Sequence, residues 1–465
     1  MPAPGFAFAN PHPSPDDLNT KDPQAAYAED SGIKANPVTE LIPAPWKTPQ
    51  EMALTDVLGA AAVQQIQAAG KIVFHSMGDT GGIKMPVHQF AVADAMVRDI
   101  TQPNYSSGRP AFCYHLGDVV YYFGQERYYF DQFYDAYRDY DGPIFAIPGN
   151  HDGEMFPKEQ AQYSLQAFYN NFCSKSPVKD PAAKGFSRTT MTQPGVYFTL
   201  NAPYVKIIGL YSNTGESTGI ISDATVGTAQ LDFLLAQLQQ AATQRAQKNS
   251  DPFALIIAVH HPPFTISNEH FPSPAMLAQI DQACQDAKIW PDIVLSGHAH
   301  LYERYTRTLP PPYTKIPSAK NLQIPYVVAG NGGYLNLSKV RTGKGGTDPQ
   351  PGVAGTDGKG NPLTLNVYNN TTYGFLRLTV SPSSILLESF GVNESTGAIS
   401  TIDQFTVDLS KHVVTGVPPK SQIKPGVAPS HAHDRSPKTS SPKASSQRTS
   451  SPKKSSQKKS QGKKK

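Results

Sequence analysis

The chain has little cysteine and no long apolar run. Only three cysteines occur in 465 residues, Cys113, Cys173 and Cys284, an odd number without CxxC spacing. That excludes a disulfide framework and a thiolate zinc site. No stretch reaches the ~18 apolar residues of a membrane helix; the longest runs, such as Phe253 to Val259, are strand-length. A membrane span is thereby excluded. The N-terminus lacks the basic segment and apolar core of a secretory leader, so a reducing, cytoplasmic location is the expectation. Apolar residues make up 38% of the chain, below the roughly 45–50% of globular domains. Proline takes part of the difference, with 42 residues where the usual ~5% would give about half as many.

Charge is low as well, at 17%, and the net charge of +4 hides a split. From Lys420 onward there are 13 Lys and Arg and a single acid, Asp434, giving +12. Residues 1–419 then carry 28 bases and 36 acids, giving −8. The end of the chain repeats Ser-Pro-Lys at 436–438, 441–443 and 451–453 among Lys, Ser and Gln. Such a segment has too little apolar surface to offset its ordering entropy, so 416–465 reads as a disordered basic tail. It could neutralise phosphates on a nucleic acid or another anionic surface, or it is simply a solvated, self-repelling tail. Residues 1–48, rich in Pro, Ala, Asn and Asp, read as an extended arm.

Between arm and tail, 49–412 has the pattern of a folded domain. A helix is expected over Thr48 to Ala69, with Thr48 as cap and Pro49 in the first turn. Then five short apolar runs each end in a polar turn. Lys71 to Met77 ends in Gly78-Asp79-Thr80-Gly81, Pro110 to Leu116 in Gly117-Asp118, and Pro143 to Ile147 in Gly149-Asn150-His151-Asp152. Phe253 to Val259 ends in His260-His261-Pro262, and Ile293 to Ser296 in Gly297-His298-Ala299-His300. Helical stretches at Phe90 to Asp99, Tyr128 to Tyr140, Thr228 to Gln247 and Ala275 to Lys288 separate them. Alternating strands and helices predict a layered α/β domain, and in such sheets ligands bind beyond the carboxyl ends of strands, where all five turns fall. Further strands are expected at Tyr326 to Ala329, Gly374 to Val380, Ser384 to Phe390 and Phe405 to Leu409, with a long loop over 338–372.

Chemically, the turns supply Asp79, Asp118, Asn150, His151, His260, His298 and His300. Oxygen and imidazole donors without thiolate suit zinc, iron or manganese. A Gly-Asp at a strand end is most often a turn or cap, and a lone strand histidine most often packs; five such turns in one chain are poorly explained that way. Two metals ~3.5–4 Å apart, bridged by one Asp, would form a clamp for in-line displacement at phosphorus.

This ordered set, Gly78-Asp79, Gly117-Asp118-Val119-Val120-Tyr121, Gly149-Asn150-His151-Asp152, Val259-His260 and Gly297-His298-Ala299-His300, resembles the calcineurin-like metallophosphoesterases. Within them it is most similar to the purple acid phosphatase branch, which has Tyr in the second motif and lacks the His that most relatives place two residues after the first Asp; here Tyr121 is present and position 81 is Gly. The run His300-Leu301-Tyr302-Glu303-Arg304 resembles the end of the last motif and its continuation in plant-type members. The likeness covers roughly 70–395.

The resemblance implies a four-layer αββα sandwich and two metal ions. Asp79, Tyr121 and His300 would hold the first, Asn150, His260 and His298 the second, with Asp118 bridging. A phenolate oxygen favours Fe(III) in the first position, and the second suits Zn, Mn or Fe(II). His261 and Tyr122 are the competing neighbours of His260 and Tyr121. The resemblance also implies that His151 faces the substrate as acid or phosphate ligand, and that His270 does so too, although its offset from His260 is one residue longer here. His75 and His115, inside strand runs, read as packing residues; Lys175, Lys179, Lys184 and Arg188 of the 153–194 loop read as solvated. The expected function is a phosphomonoesterase of purple acid phosphatase type acting on a phosphate ester. A phosphodiesterase on the same centre is the alternative. A nucleic-acid-binding protein with a vestigial fold is the reading from another class, and the intact ligand set argues against it.

Overall fold

The computed structural model describes residues 42–416 apart from 84–85, 102–107, 155–163, 214–217, 225–226, 249–250, 316–319 and 344–345. The basic tail and nearly all of the N-terminal arm lie outside the described residues.

Among the described residues, strands β1 (Glu51–Ala53), β2 (Ile72–Met77), β3 (Cys113–His115), β4 (Ile144–Ala146), β5 (Phe198–Ala202), β6 (Val205–Leu210), β7 (Ala254–Val259) and β8 (Ile293–Ser296) come first. They are followed by β9 (Tyr302–Leu309), β10 (Leu322–Ala329), β11 (Ala354–Thr356), β12 (Pro362–Asn369), β13 (Gly374–Val380), β14 (Ser384–Val392), β15 (Ile399–Asp408) and β16 (Val413–Gly416). These form two sheets, ordered β1-β5-β6-β7-β8-β10-β9-β12-β11 and β16-β15-β14-β13-β2-β3-β4. The longer helices are α1 (Thr55–Ala68), α2 (Val87–Thr101), α3 (Ala229–Ala246) and α4 (Pro274–Ala287).

The sheets pack face to face. Phe74, Phe112, Leu116 and Phe145 of one sheet and Phe198, Ile207, Ile256 and Leu295 of the other share one buried cluster. A second cluster joins the outer faces to the helices, with Val92 and Met96 of α2, Leu234 and Leu238 of α3 and Leu277 and Ile280 of α4. Strands buried on both faces need apolar residues throughout, which explains the unbroken runs of β2 and β7. The layered α/β architecture expected from the sequence is therefore present.

Three local expectations change. Glu51–Ala53 is a strand parallel to β5 rather than the start of a helix, and the helix begins only at Thr55, behind Leu54. Tyr128 to Tyr140 is not one α-helix but a 3₁₀ turn at Glu126–Tyr128 followed by a π-turn at Phe130–Tyr134. Its aromatic side chains Tyr128, Tyr129, Phe130, Phe133, Tyr134, Tyr137 and Tyr140 are all buried, more than one face of a regular helix would hide. The segment 338–372 contains β11 and β12, whose alternating Leu363, Leu365 and Val367 carry the strand signal within a Gly- and Asn-rich context.

Candidate metal centre

Parallel strands β2, β3 and β4 of one sheet and β7 and β8 of the other end at the same edge of the sandwich. The turns behind them are laced together. Gly78 N–H donates to Ala329 O (2.9 Å), Asp79 N–H to Gly117 O (3.0 Å), and Gly297 N–H to His260 O (2.9 Å). Asp79, Asp118 and His298 take positive φ (57°, 54° and 67°), a left-handed conformation that costs non-glycine residues about 1–3 kcal/mol each and persists only where the surroundings fix it. The carboxylates help to fix it: Asp79 Oδ2 accepts from His298 N–H (2.8 Å) and Asp118 Oδ1 from His151 N–H (2.9 Å). A Cβ on Gly149 would collide with the Asp118 carboxylate, so that turn requires glycine.

Six of the side chains named from the sequence fall into two donor groups. In the first, Tyr121 Oη lies 3.4 Å from Asp79 Oδ1 and 3.4 Å from His300 Nε2, and His300 Nε2 lies 3.6 Å from Asp79 Oδ1. Donors held ~2.0–2.2 Å from one ion at tetrahedral or cis-octahedral angles stand about 3.0–3.6 Å apart, so this triangle fits a metal. In the second, Asn150 Oδ1 lies 3.2 Å from His260 Nε2 and 3.0 Å from His298 Nδ1. Asp118 belongs with both. Its Oδ2, buried and without a hydrogen bond among the described residues, lies 3.4 Å from His260 Nε2. The donor atoms of Asp118, His260 and His298 all fall within 4.8 Å of one another. An orphaned carboxylate oxygen beside imidazole nitrogens is what a cation site requires.

The imidazoles are prepared for that role. His260 donates Nδ1–H to Leu116 O (2.8 Å), which turns Nε2 toward the site. Burial lowers this imidazole, but the Asp118 and Asp79 carboxylates outweigh it and raise it to about 9, so Nε2 holds a proton that a cation would displace. Burial and the surrounding imidazoles push His298 and His300 well below the usual histidine range, keeping them neutral, the form that ligates. Burial, with the Asp118 and Asp79 carboxylates nearby, raises the Tyr121 phenol well above its ordinary value, so a phenolate forms there only against a strong positive charge. For Asp118, burial raises the carboxyl, but His260 and His151 outweigh it and the group stays well below the usual carboxylate range.

The competing neighbours point elsewhere. His261 is anchored by Ser212 Oγ (2.8 Å), its ring tilted against that of His298 at 4.2 Å. The Tyr122 carbonyl accepts from His151 Nδ1 (2.8 Å). His151 lies at the rim, its side chain 24% exposed and its ring 4.5 Å from that of Tyr121. His270 covers the other side, 4.4 Å from the His298 ring and 4.9 Å from the His300 ring. His75 and His115 are buried in hydrogen bonds to Asp99 and Tyr140 and to Thr80, as packing residues are. Lys175 and Lys179 are exposed, but Arg188 is not solvated: it is buried, donating to the carbonyls of Tyr137, Tyr140 and Gly142.

The sequence reading missed several supports. Asp152 accepts from the N–H groups of Val119, Val120 and Gly149 (2.9–3.1 Å), tying the second turn to the third. Tyr334 lies 4.3 Å from both the Tyr121 and His300 rings. Its signal was a sixth polar turn, Gly330-Asn331-Gly332-Gly333, directly after β10. Ser338 Oγ accepts from His300 N–H (3.2 Å).

Residues 73–302 match the calcineurin-like phosphoesterase family model. A search of the curated proteins finds no match. Among solved structures the chain is similar to a purple acid phosphatase from yellow lupin (Lupinus luteus) seeds, at 17% identity and TM-score 0.48, covering 77% of this chain and 57% of that one. It is also similar to PhoD, at 12% identity and TM-score 0.45 over 77% and 73% of the two chains. A third is GAP50, the anchor in the inner membrane complex of Plasmodium, at 13% identity and TM-score 0.42 over 76% and 90%. The chain thus spans little more than half the length of the lupin protein. Residues 73–302 hold every donor described above, and that segment is a calcineurin-like phosphoesterase domain, of a family of metal-dependent hydrolases.

Proposed function

We propose that the protein is a phosphomonoesterase of the purple acid phosphatase type, with Fe(III) in the first position and Zn, Mn or Fe(II) in the second. The observation that carries this reading is the Asp79–Tyr121–His300 triangle, in which a phenol takes a ligand position beside the glycine at 81. A Cβ on Gly81 would meet the Tyr121 ring at 2.5 Å, so a side chain at 81 and a tyrosine at 121 compete for one space.

The ions, when bound, neutralise phosphoryl charge and activate water for in-line displacement. The chain's own residues do the rest. Asp118 holds the two positions together, and the Leu116 carbonyl keeps His260 in its ligating tautomer. His151 gives Nδ1–H to the Tyr122 carbonyl, and as the imidazolium it also carries Nε2–H, the proton to give to the departing oxygen or to share with a phosphoryl oxygen. His270, across the site, is the second group positioned to meet the phosphate.

The test combines metal analysis, a visible spectrum and phosphate release from p-nitrophenyl phosphate and its bis-ester, in wild type and Tyr121→Phe. About one iron per chain with a broad visible band lost in Tyr121→Phe, and faster monoester hydrolysis, is the expected result. A colourless protein with two divalent ions would overturn the purple-type assignment. Faster diester hydrolysis would replace the substrate class.

A further inference from the structure

Three buried glutamines make the same unusual contact. Each pairs its side-chain amide with both backbone groups of one distant residue. Gln193 accepts from Ala146 N–H and donates to Ala146 O, both at 2.8 Å. Gln230 does so with Tyr211, both at 2.7 Å. Gln132 does so with Tyr121: its Oε1 accepts from Tyr121 N–H (2.9 Å) and its Nε2 donates to Tyr121 O (2.8 Å). A primary amide offers an acceptor and donors side by side, so it stands in for the neighbouring strand that an isolated segment lacks.

For Ala146, on the edge strand β4, and Tyr211, just past β6, the clamp completes a sheet. Tyr121 lies in no strand, and there the clamp holds a residue whose phenol belongs to the first donor triangle. Gln132 is itself secured. It is fully buried in the π-turn, a local widening often found at functional sites. Its backbone carbonyl accepts from Gln89 Nε2 (2.6 Å), and Gln89 Oε1 accepts from Gly82 N–H (2.9 Å). A Cβ on Gly81 would collide with Gln132 Oε1 as well as with the Tyr121 ring. Gly81, Gln89, Gln132 and Tyr121 are therefore one packed unit, running from the first turn to the second.

We propose that Gln132 is a positioning residue for the metal ligand Tyr121. The phenol oxygen sits at the far end of a rigid ring, so a small backbone rotation at 121 carries it out of the triangle with Asp79 and His300. Misplacement by about 1 Å can cost on the order of a hundredfold in function. The proposal rests on Tyr121 being a ligand, and it explains why the chain interrupts an aromatic helix at 130–134.

The test compares wild type, Tyr121→Phe, Gln132→Met and Gln132→Glu, with Gln193→Met as the control for a clamp outside the site. The readouts are metal ions per chain, the affinity of the first ion and the visible band. Gln132→Met is expected to weaken the first ion about ten- to a hundredfold, the usual cost of losing an outer-shell partner, to shift or bleach the band, and to keep the second ion. Gln132→Glu retains an acceptor for Tyr121 N–H and is expected to fall between. Gln193→Met is expected to lose stability while keeping both ions and the band.

A wild-type band and first-ion affinity in Gln132→Met would overturn the proposal. So would an equal loss in Gln193→Met, since the clamp would then be a general stabiliser. Should Gln132→Met not fold, an unchanged band and affinity in Gln132→Glu overturns it instead. Failure of the ligand reading is seen separately: Tyr121→Phe would then match wild type in metal content and spectrum, and the positioning role would fall with it.

Discussion

Asp118 is asked to do the most of any single side chain. One oxygen accepts from His151 N–H, and the other, without a hydrogen bond among the described residues, lies 3.4 Å from His260 Nε2. Asp118→Asn keeps the shape and removes the charge that two cations would share. We expect kcat/KM to fall at least about a hundredfold, the upper end for loss of a mere outer-shell partner, with fewer ions bound per chain. An enzyme that kept both ions and its rate would remove Asp118 from the centre. Glu303 makes a different residue-level prediction. Its carboxyl is fully buried on β9, where it accepts from Ile266 N–H (2.9 Å) and Thr265 Oγ1 (3.2 Å). Burial pushes it up to about 7, against the lowering effect of those donors, Tyr305 and Arg341. Between about pH 4.5 and 7 the folded chain then keeps a proton that the unfolded chain has lost, so stability falls as pH rises through that window. The shift corresponds to about 3 kcal/mol at most. Glu303→Gln keeps the acceptor and cannot ionise, so urea midpoints of the variant should decline less over the same window. Parallel declines would show that Glu303 ionises freely.

At the scale of elements, legibility followed chemistry more closely than secondary structure. The runs of β2, β7 and β8 were readable because strands buried on both faces must be apolar, and the turns behind them because ligand-bearing loops combine glycine with Asp, Asn and His. Strand β9 was not readable, since Glu303, Arg304 and Arg307 break its apolar pattern. The two arginines are buried only because distant partners meet them: Asp403 for Arg304 (2.6 Å), Asp281 for Arg307 (2.8 Å) and Asp357 for Arg307 (2.7 Å). Asp152 and Gln132 were hidden for the same reason, because their partners are backbone groups brought close only by the fold. Arg307 also ties α4 to β9 and the β11–β12 turn. Arg307→Met would leave Asp281 and Asp357 without their shared cation, and we expect a loss of about 3–5 kcal/mol, read from urea unfolding. Adding Asp281→Leu and Asp357→Leu to that variant should recover part of it, and no recovery would mean that the cost is packing.

Over the whole molecule, the donors come from two sheets that meet mainly through apolar contacts, with the buried Arg304–Asp403 pair as a polar tie between them. Asp79, Asp118 and Asn150 follow β2, β3 and β4, whereas His260 and His298 follow β7 and β8. Bound ions would therefore fasten the two sheets at one edge, and their removal would leave buried carboxylates and imidazoles facing one another there. Burial, with Asp118 adding to it, already drives the Asp79 carboxyl well above its ordinary value, although His260 opposes the rise. A ligand that binds only the folded chain adds about 2.7 kcal/mol at a hundredfold excess over its Kd. We expect chelation to lower Tm measurably and readdition of the ions to restore it, with Tyr121→Phe losing the part due to the first ion and Asp118→Asn most of the effect. Hydrogen exchange should locate the change. The turns after β2, β3, β7 and β8 should lose protection on chelation, while the apolar interface between the sheets, around Phe74, Phe112 and Ile256, keeps it. An unchanged Tm after verified metal loss would mean that the ions hang on a site already rigid without them, and that the hydrogen bonds among the turns suffice to hold its strained backbone.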